Sequence, residues 1–219
     1  MKNTLLLFLL FSGFNTQAQI TDIDGNSYDT VRIGDQTWMA ENLNVSRFQN
    51  GDVIPEAKSE REWVKAGENK QPAWCYYNND PSNSNKFGKL YNWYAVNDSR
   101  GLAPEGWHVA YSGDWSWLIE NLGGIQINDY LSPFWFFEEG EYEINLITSG
   151  TRNINGDGKF YYPKENDIWW NAPIYDSAAG DNAFSKFSNV IESDGMQYNS
   201  NVYYFVTEEC GFSVRCVKD

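Results

Sequence analysis

Hydrophobic and polar positions alternate along two short stretches near the start of the chain. Residues 28–33 (YDTVRI) and 36–40 (QTWMA) follow a period of two, with Gly34 and Asp35 between them. A period of two is typical of a β-strand with one buried face, and two such strands joined by a short glycine-containing segment form a hairpin. The pattern therefore predicts a β-hairpin over residues 28–40.

The clearest helical period follows Ser112. Apolar residues recur there at i, i+3, i+4 and i+7, which places them on one face of a helix. These residues are Trp115, Leu118, Ile119 and Leu122. Ser112 suits the N-cap, Asp114 adds a negative charge to the first turn, and glycines at 123–124 favour termination. The pattern predicts one amphipathic helix that ends at residues 123–124.

The rest of the chain offers only short patterned runs. Residues 60–64 suit a short helix, 74–77 and 106–109 suit short aromatic strands, and 90–96 fit a strand or a short helix equally well. Beyond the helix, residues 125–219 contain brief aromatic and β-branched runs separated by Asn, Gly and Asp. These patterns predict an α+β domain of short irregular antiparallel strands, one or two helices and long loops.

The first nineteen residues have the pattern of a secretory signal peptide. Lys2 precedes an apolar run at 5–11, and small and polar residues that include Ala18 follow it. The run is shorter than the roughly 20 residues that a membrane span needs. We expect a signal peptide at 1–19, with cleavage near Ala18, and one domain at 20–219. We also expect no membrane span and a location that is secreted, periplasmic or at the cell surface.

Charge and composition narrow the classes of partner. The chain has 30 acidic and 16 basic residues among 219, a net charge of −14, which argues against binding to nucleic acid. Aromatic residues make up 17% of the chain, which is far more apolar ring surface than a disordered protein carries. The composition predicts a folded acidic protein that tolerates divalent cations.

Three cysteines limit the disulfide chemistry of an exported chain. Because the number is odd, at least one thiol lacks an internal partner. A bridge between Cys210 and Cys216 requires the chain to turn between them, for which Gly211 is the candidate. Cys75 follows a tryptophan and precedes two tyrosines, which suits a buried inert thiol.

Catalytic constellations are poorly supported by the residue types. His108 is the only histidine, and the sequence has no Gly-x-Ser-x-Gly motif and no ligand pair at zinc spacing. A sheet-packed His108 that donates to a backbone carbonyl is the favoured interpretation. The 30 acidic residues permit a pair of glycoside-cleaving carboxylates without specifying one, and the run at 138–141 suits a solvated loop.

Calcium is the one metal for which the sequence offers ligands. Asn153, Asn155 and Asp157 place side-chain oxygens at alternate positions before Gly158, as in loops that curl around a hard cation. The residue at the position of a bidentate glutamate, however, is Lys164. An ordinary Asn/Gly turn that joins two strands therefore remains the favoured alternative to a calcium site.

Aromatic side chains in polar loops are candidates for carbohydrate binding. Flat rings stack on sugar C–H surfaces, and nearby amides bind the hydroxyls. The candidate residues are Trp135, Tyr161, Trp169, Trp170 and Asn171. Neighbouring rings in a strand point to opposite faces, so at most one of Trp169 and Trp170 faces a given groove. The alternative is that these rings fill the core.

Four blocks together resemble the Fibrobacter succinogenes major paralogous domain, a family of exported bacterial proteins. They occupy residues 28–43 (YDTVRIGDQTWMAENL), 87–96 (FGKLYNWYAV), 101–109 (GLAPEGWHV) and 211–219 (GFSVRCVKD). The resemblance covers nearly all of the chain after the signal peptide. It implies little biochemistry, because the family itself is poorly characterised.

The sequence departs from the family pattern at two places. Ala103 stands where the family usually has a cysteine before the proline, and residues 110–111 replace its Pro-Ser. If the family cysteine bridges to the terminal strand, Cys216 has lost that partner, and Cys210 is the hypothetical substitute.

Two shorter segments, residues 106–115 and 211–215, are also similar to the C-type-lectin-like fold of formylglycine-generating enzymes. In that fold both chain ends meet in one small sheet. That enzyme chemistry needs two closely placed reactive thiols, for which only Cys210 and Cys216 are available.

Taken together, these patterns predict a non-enzymatic, secreted surface-binding protein whose ligand is a carbohydrate. The alternative is a structural or adhesive envelope protein that recognises another protein, and an unidentified hydrolase ranks third.

Overall fold

A computed structural model describes the chain in seven segments, namely residues 19–121, 150–153, 155–161, 166–170, 187–192, 203–205 and 207–219. The α-helices are α1 (Glu60–Glu68), α2 (Ser84–Phe87), α3 (Trp93–Val96) and α4 (Ser112–Asn121). The strands of the first half are β1 (Gln19–Thr21), β2 (Ser27–Ile33), β3 (Gln36–Met39), β4 (Trp74–Cys75), β5 (Leu90–Tyr91) and β6 (Trp107–Val109). Those of the second half are β7 (Thr151–Arg152), β8 (Phe160–Tyr161), β9 (Asn166–Trp170), β10 (Phe187–Glu192), β11 (Tyr203–Phe205) and β12 (Cys216–Lys218).

A five-stranded antiparallel sheet organises the fold, in the order β1-β2-β3-β12-β6. The predicted hairpin of β2 and β3 is confirmed, with Ile33 opposite Gln36. Gly34 makes this tight connection with a positive φ of +53°, a conformation that glycine adopts without strain. The last strand, β12, lies between β3 and β6, so early and late parts of the chain share one sheet. The mixture of helices and antiparallel strands confirms the α+β class.

The predicted amphipathic helix is confirmed as α4, which covers one face of this sheet. The Ile119 side chain, Leu122 and the predicted end at residues 123–124 lie outside the described part of the chain. Trp115 and Leu118 of the helix are buried against Trp38 of β3 and Val217 of β12. The ring centres of Trp38 and Trp115 are 5.0 Å apart. The helix start is stabilised by Asp114, whose carboxylate accepts the backbone N–H of Tyr111 at 3.0 Å. Burial of this apolar face fixes the direction of the helix across the sheet.

Part of the opposite face of the sheet packs on the main core through Met39, Val109 and Cys216. Arg215, which directly precedes β12, is fully buried, and its guanidinium donates to the backbone oxygens of Met39 and Ala40 and to the side-chain oxygen of Asn42. These acceptors belong to the block at 28–43, and Arg215 belongs to the block at 211–219. Buried polar groups need such partners, so the two blocks form one structural unit.

Shorter elements surround this core. The predicted helix near residue 60 is α1, and Ser59 is its N-cap. Ser59 Oγ accepts Glu62 N at 3.2 Å, and Glu62 Oε2 reaches back to accept Lys58 N, one residue before the cap, at 2.6 Å. The segment at 90–96, which fitted strand and helix equally well, divides into β5 and α3. Asn92 separates the two, because its side-chain oxygen caps α3 by accepting Ala95 N at 3.1 Å.

Late strands form two further small sheets in the described part of the chain. β7 pairs with β8, and β9, β10 and β11 form a three-stranded antiparallel sheet. Trp170 at the end of β9 reaches the main core. Its ring centre lies 4.7 Å from the ring centre of Phe212 and 5.3 Å from that of Trp93. Across the described segments, none of the helices has the length and apolarity that a membrane crossing requires.

Candidate functional site

An open groove of about 730 Å3 lies where three loops meet beside β1. Its floor is buried and apolar and consists of Val45, Leu102, Ala103 and Pro104. Its rim is exposed and polar and includes Arg47, Gln49, Asn50, Ser99 and Glu105. An apolar floor with a small number of converging polar groups is the usual composition of a ligand site.

Backbone contacts hold the groove loops together. Gln49 donates its backbone N–H to the carbonyl of Gly101 at 2.9 Å and its side-chain amide to the carbonyl of Ala103 at 2.5 Å. Gly101 adopts a positive φ of +76°, and a Cβ there would approach Gln49 to 2.9 Å. The loops are therefore joined before any ligand arrives.

Arg100 gives the groove a fixed positive group. Its Nε and Nη2 each donate to Asp98 at 2.8 Å, its Nη1 donates to Asp52 at 3.0 Å, and its guanidinium lies 4.0 Å from the ring centre of Phe48. Hydrogen bonds from Arg100 lower the pKa of both carboxyl groups, and the bonds to Asp98 and Asp52 raise the pKa of Arg100. All three groups stay charged at neutral pH, with their geometry set by bidentate pairing.

The turn between β1 and β2 forms one wall of the groove. The buried carboxylate of Asp22 accepts the Tyr28 hydroxyl at 2.6 Å, the Asn26 side chain at 2.8 Å, and backbone N–H groups of Asp24 and Asn26 at 2.9 Å. Asp24 forms an ion pair with Arg47 at 3.2 Å. These contacts fix the turn and present Ile23 to the groove with 49% of its surface exposed.

Two of the aromatic residues predicted to bind sugar, Tyr161 and Trp170, do not line this groove. Trp170 is fully buried and its indole N–H donates to the Tyr91 carbonyl at 2.7 Å, so this ring fills the core, which was the alternative interpretation. Tyr161 is partly buried and donates its hydroxyl to Asp157 at 2.6 Å. Trp135 and Asn171 lie outside the described residues, and of Trp169 only the backbone, in β9, is described.

The predicted calcium loop joins β7 to β8. Asn153 Oδ1 accepts Gly158 N at 2.6 Å, and the carboxylate oxygens of Asp157 accept Lys159 N and the Tyr161 hydroxyl. Asn155 is exposed. The oxygens of Asn153 and Asp157 thus close a strand-joining turn, which was the alternative interpretation. Among the residues that the structure describes, no three His, Cys, Asp or Glu side chains form a metal-binding group.

All three cysteines are free and buried, so the predicted bridge between Cys210 and Cys216 is not formed. Cys210 faces Asn153 O at 3.8 Å, whereas Cys216 lies in β12 opposite Val109. The segment between them runs through bridges to other strands and does not turn back at Gly211. Burial raises the pKa of the Cys75 thiol to about 12 and raises the pKa values of the other two, which disfavours reactive thiolates.

His108 has different partners from those predicted. Instead of a backbone carbonyl, its Nε2 lies 3.0 Å from the buried carboxylate of Asp114, and its Nδ1 lies 2.8 Å from Asp219. The hydrogen bond to Asp114 raises the pKa of His108 most, and the bond to Asp219 adds to this shift. The partly exposed imidazole stacks on the ring of Tyr111 at 5.5 Å. His108, in β6, therefore links Asp219 and helix α4 through its two hydrogen bonds.

This arrangement predicts pH-dependent stability. The folded-state pKa of His108 lies above its unfolded value of roughly 6.5, so its stabilisation is complete below that pH and is lost as pH rises through the folded value. We expect His108→Gln to cost about 1 kcal/mol under mildly acidic conditions, since the site is partly exposed, and clearly less at alkaline pH. Urea unfolding of both proteins at several pH values measures this. A cost that is constant or that grows with pH would contradict the assignment.

Three buried cations, Lys89, Arg152 and Arg215, were not predicted from the sequence, and Lys89 lies nearest to aromatic rings of the main core. Lys89 is 3% exposed, donates to the Asn44 carbonyl, and lies 4.4 Å from the ring centre of Trp74 and 5.4 Å from that of Tyr76. Burial lowers the pKa of Lys89 to about 8, while Asp24 and Asp22 oppose the shift. The aromatic faces replace part of the lost hydration. Its position in the block at 87–96 was the only signal in the sequence.

The fold and the groove define a class: an α+β domain whose loops form a concave, polar-rimmed surface above an antiparallel sheet. The chain belongs to the Fibrobacter succinogenes major domain family, whose model matches residues 31–218. The resemblance seen in the sequence is thereby confirmed. Neither a curated protein nor a solved structure gives a significant match to the chain.

Proposed function

We propose that the protein is an exported, non-catalytic domain that binds a neutral carbohydrate in the groove. The observation that carries the proposal is the groove's combination of a buried apolar floor with an exposed polar rim. Sugars present C–H faces and hydroxyl groups together, and such a surface meets both. The first nineteen residues support export, because they have the pattern of a signal peptide.

The rim offers the chemistry that sugar hydroxyls require. Arg47 and Arg100 supply N–H donors, Glu105 supplies acceptors, and Ser99 and Asn50 supply both. Arg100 is held in place by Asp98, Asp52 and Phe48, so little side-chain freedom is lost when a ligand binds. Such pre-organisation favours affinity at a shallow site.

Two observations support a role without catalysis. Both ring nitrogens of His108 lie within hydrogen-bonding distance of carboxylates, those of Asp114 and Asp219. These contacts join β6 to α4 and to the residue after β12, which favours a structural role for the imidazole. The three thiols are buried and have raised pKa values. None of these groups lines the groove.

We further propose a C-type-lectin-like arrangement for the domain. Its support is topological, because β2 and β3 from the start of the chain share one small sheet with β12 from its end. The loops above the sheet carry the groove, as the resemblance drawn from the sequence implies. A ligand site on loops held by a rigid sheet is a common arrangement.

Blocking the groove tests the proposal. Ser99→Trp places a large ring on the exposed rim, and we expect it to weaken binding to a neutral glycan by at least about tenfold, a loss of 1.4 kcal/mol, without lowering the melting temperature. The glycan is first identified on an array, and affinity is then measured by calorimetry. Ser82→Trp, at an exposed position outside the groove, is the matched control and should bind as the original protein does.

Two results would overturn the proposal. One is an array on which no neutral glycan binds the folded protein, and the other is unchanged affinity in the Ser99→Trp variant.

Exposed apolar side chains favour protein recognition as a second function. Ile23 is 49% exposed and Val53 is 62% exposed. Ile23 extends towards Gly51 in the same loop as Val53, with its Cδ1 4.0 Å from the position of a Cβ on that glycine. Adhesion to cells that is lost in Ile23→Asp, together with a silent glycan array, would favour this function over carbohydrate binding.

A further inference from the structure

A row of four side chains crosses the central sheet on the face opposite α4. Arg32 of β2 is directly opposite Thr37 of β3, and Lys218 of β12 is directly opposite Trp107 of β6. Trp38 is opposite Val217, so one step along these antiparallel strands Thr37 faces Lys218. Directly opposite residues share a face of the sheet. The order across the row is therefore arginine, threonine, lysine and tryptophan.

This row lines a pocket of about 590 Å3, which shares Thr21 of β1 with the groove but none of its other lining residues. Thr30 lies two residues before Arg32 on the same face, and residues 19–21 of β1 complete the lining. Arg32 and Lys218 are exposed, whereas Trp107 is buried at the end of the row. Among the described residues, the lining holds two cations, three threonines and no acidic side chain.

The two cations lack ionic partners within the described segments. Arg32 donates its Nε to the Gly34 carbonyl at 3.1 Å, which orients the guanidinium, and neither Arg32 nor Lys218 belongs to any of the ion pairs found there. The whole chain carries 30 acidic residues against 16 basic ones. Two cations that share one pocket of such an acidic protein, without an ion pair to any described residue, favour an anionic ligand over a cationic one.

From this row we infer a second binding site, which takes a tetrahedral or planar oxyanion group: a sulfate, a phosphate or the carboxylate of an acidic sugar. Arg32 and Lys218 lie two strands apart, about 10 Å by strand spacing, and both side chains are long enough to meet over Thr37. The guanidinium binds two oxygens of the anion, the ammonium neutralises its charge, and the Thr37 hydroxyl donates from below. This site goes beyond the proposed function, since it uses neither the groove nor a neutral glycan.

Charge-neutralising variants test the inference on the full chain. Sodium sulfate, sodium phosphate, galacturonate and neutral galactose are titrated separately, and amide chemical shifts and calorimetry report binding. We expect saturable binding of at least one anion, and a loss of about tenfold or more in the Arg32→Gln/Lys218→Gln variant, because charge-assisted hydrogen bonds are lost. The control is Arg61→Gln/Lys65→Gln, which removes the same charge from exposed positions on α1.

The outcomes separate the sources of the anion. Saturable binding of sulfate or phosphate alone assigns the site to a free inorganic anion, whereas tighter binding of galacturonate than of galactose assigns it to an acidic sugar. Equal loss in both double variants would show that only overall charge matters, and it would overturn the site. No saturable binding of any anion to the folded protein would overturn it as well. Failure of the Ser99→Trp test leaves these outcomes unchanged, so the two sites are judged separately.

Discussion

Replacing Arg215 with alanine is expected to lower the free energy of unfolding by about 4 kcal/mol. The fully buried guanidinium donates to Met39 O at 3.0 Å, to Ala40 O at 2.6 Å and to Asn42 Oδ1 at 2.7 and 3.1 Å. Its removal leaves these acceptors buried without their donors. Because whole domains are stable by only about 5–15 kcal/mol, the loss is large. Urea unfolding followed by circular dichroism measures it.

Two further variants make the result specific to this network. Arg215→Lys keeps a positive charge but loses the planar fork, and we expect it to recover at most part of the stability. Arg61→Ala, at an exposed position on α1, should change the free energy of unfolding by no more than about 0.5 kcal/mol. Wild-type stability in Arg215→Ala would contradict the proposed link between the two sequence blocks.

Trp170→Ala should also destabilise the fold strongly, by about 3–5 kcal/mol. The indole is fully buried between Trp93 and Phe212, and its N–H donates to the Tyr91 carbonyl at 2.7 Å. Trp170→Phe retains much of the packing and loses this hydrogen bond, so we expect a smaller cost of about 1–2 kcal/mol. Thermal and urea unfolding of the three proteins test this order.

The same variants distinguish a core residue from a sugar platform. A core role predicts that Trp170→Phe, while folded, binds glycans as tightly as the original protein. A platform role predicts the reverse: unchanged stability in Trp170→Ala and selective loss of glycan binding. That second result would contradict the buried position of the ring.

Local periodicity correctly predicted the elements whose sequence alone shows a clear strand or helix period. The β2–β3 hairpin and helix α4 have clear periods of two and 3.6, and the core residues described for each lie on the expected face. The segment at 90–96 could not be assigned, because seven residues fit both periods. Asn92, whose side chain bonds to Ala73 N as well as Ala95 N, decides the outcome through a contact 19 residues away.

The candidate sites depend on contacts that no local pattern encodes. The groove exists because Gln49 bonds to residues 101 and 103, and His108 finds Asp219 across 111 positions of sequence. The side of a strand on which Trp170 lies is likewise set by the register of the whole sheet. Residue type alone therefore left Trp170 undecided between a sugar platform and the core, and it predicted a backbone carbonyl as the partner of His108 where the structure has two carboxylates.

Chemical-shift mapping with a neutral glycan tests the central claim most directly. The folded, isotope-labelled chain is titrated with a glycan that the array identifies, and backbone amide shifts are followed residue by residue. The account predicts that the largest changes cluster at residues 47–50 and 99–105, the two segments that supply most of the groove lining. Changes concentrated elsewhere, or none at ligand concentrations that saturate the array signal, would contradict it.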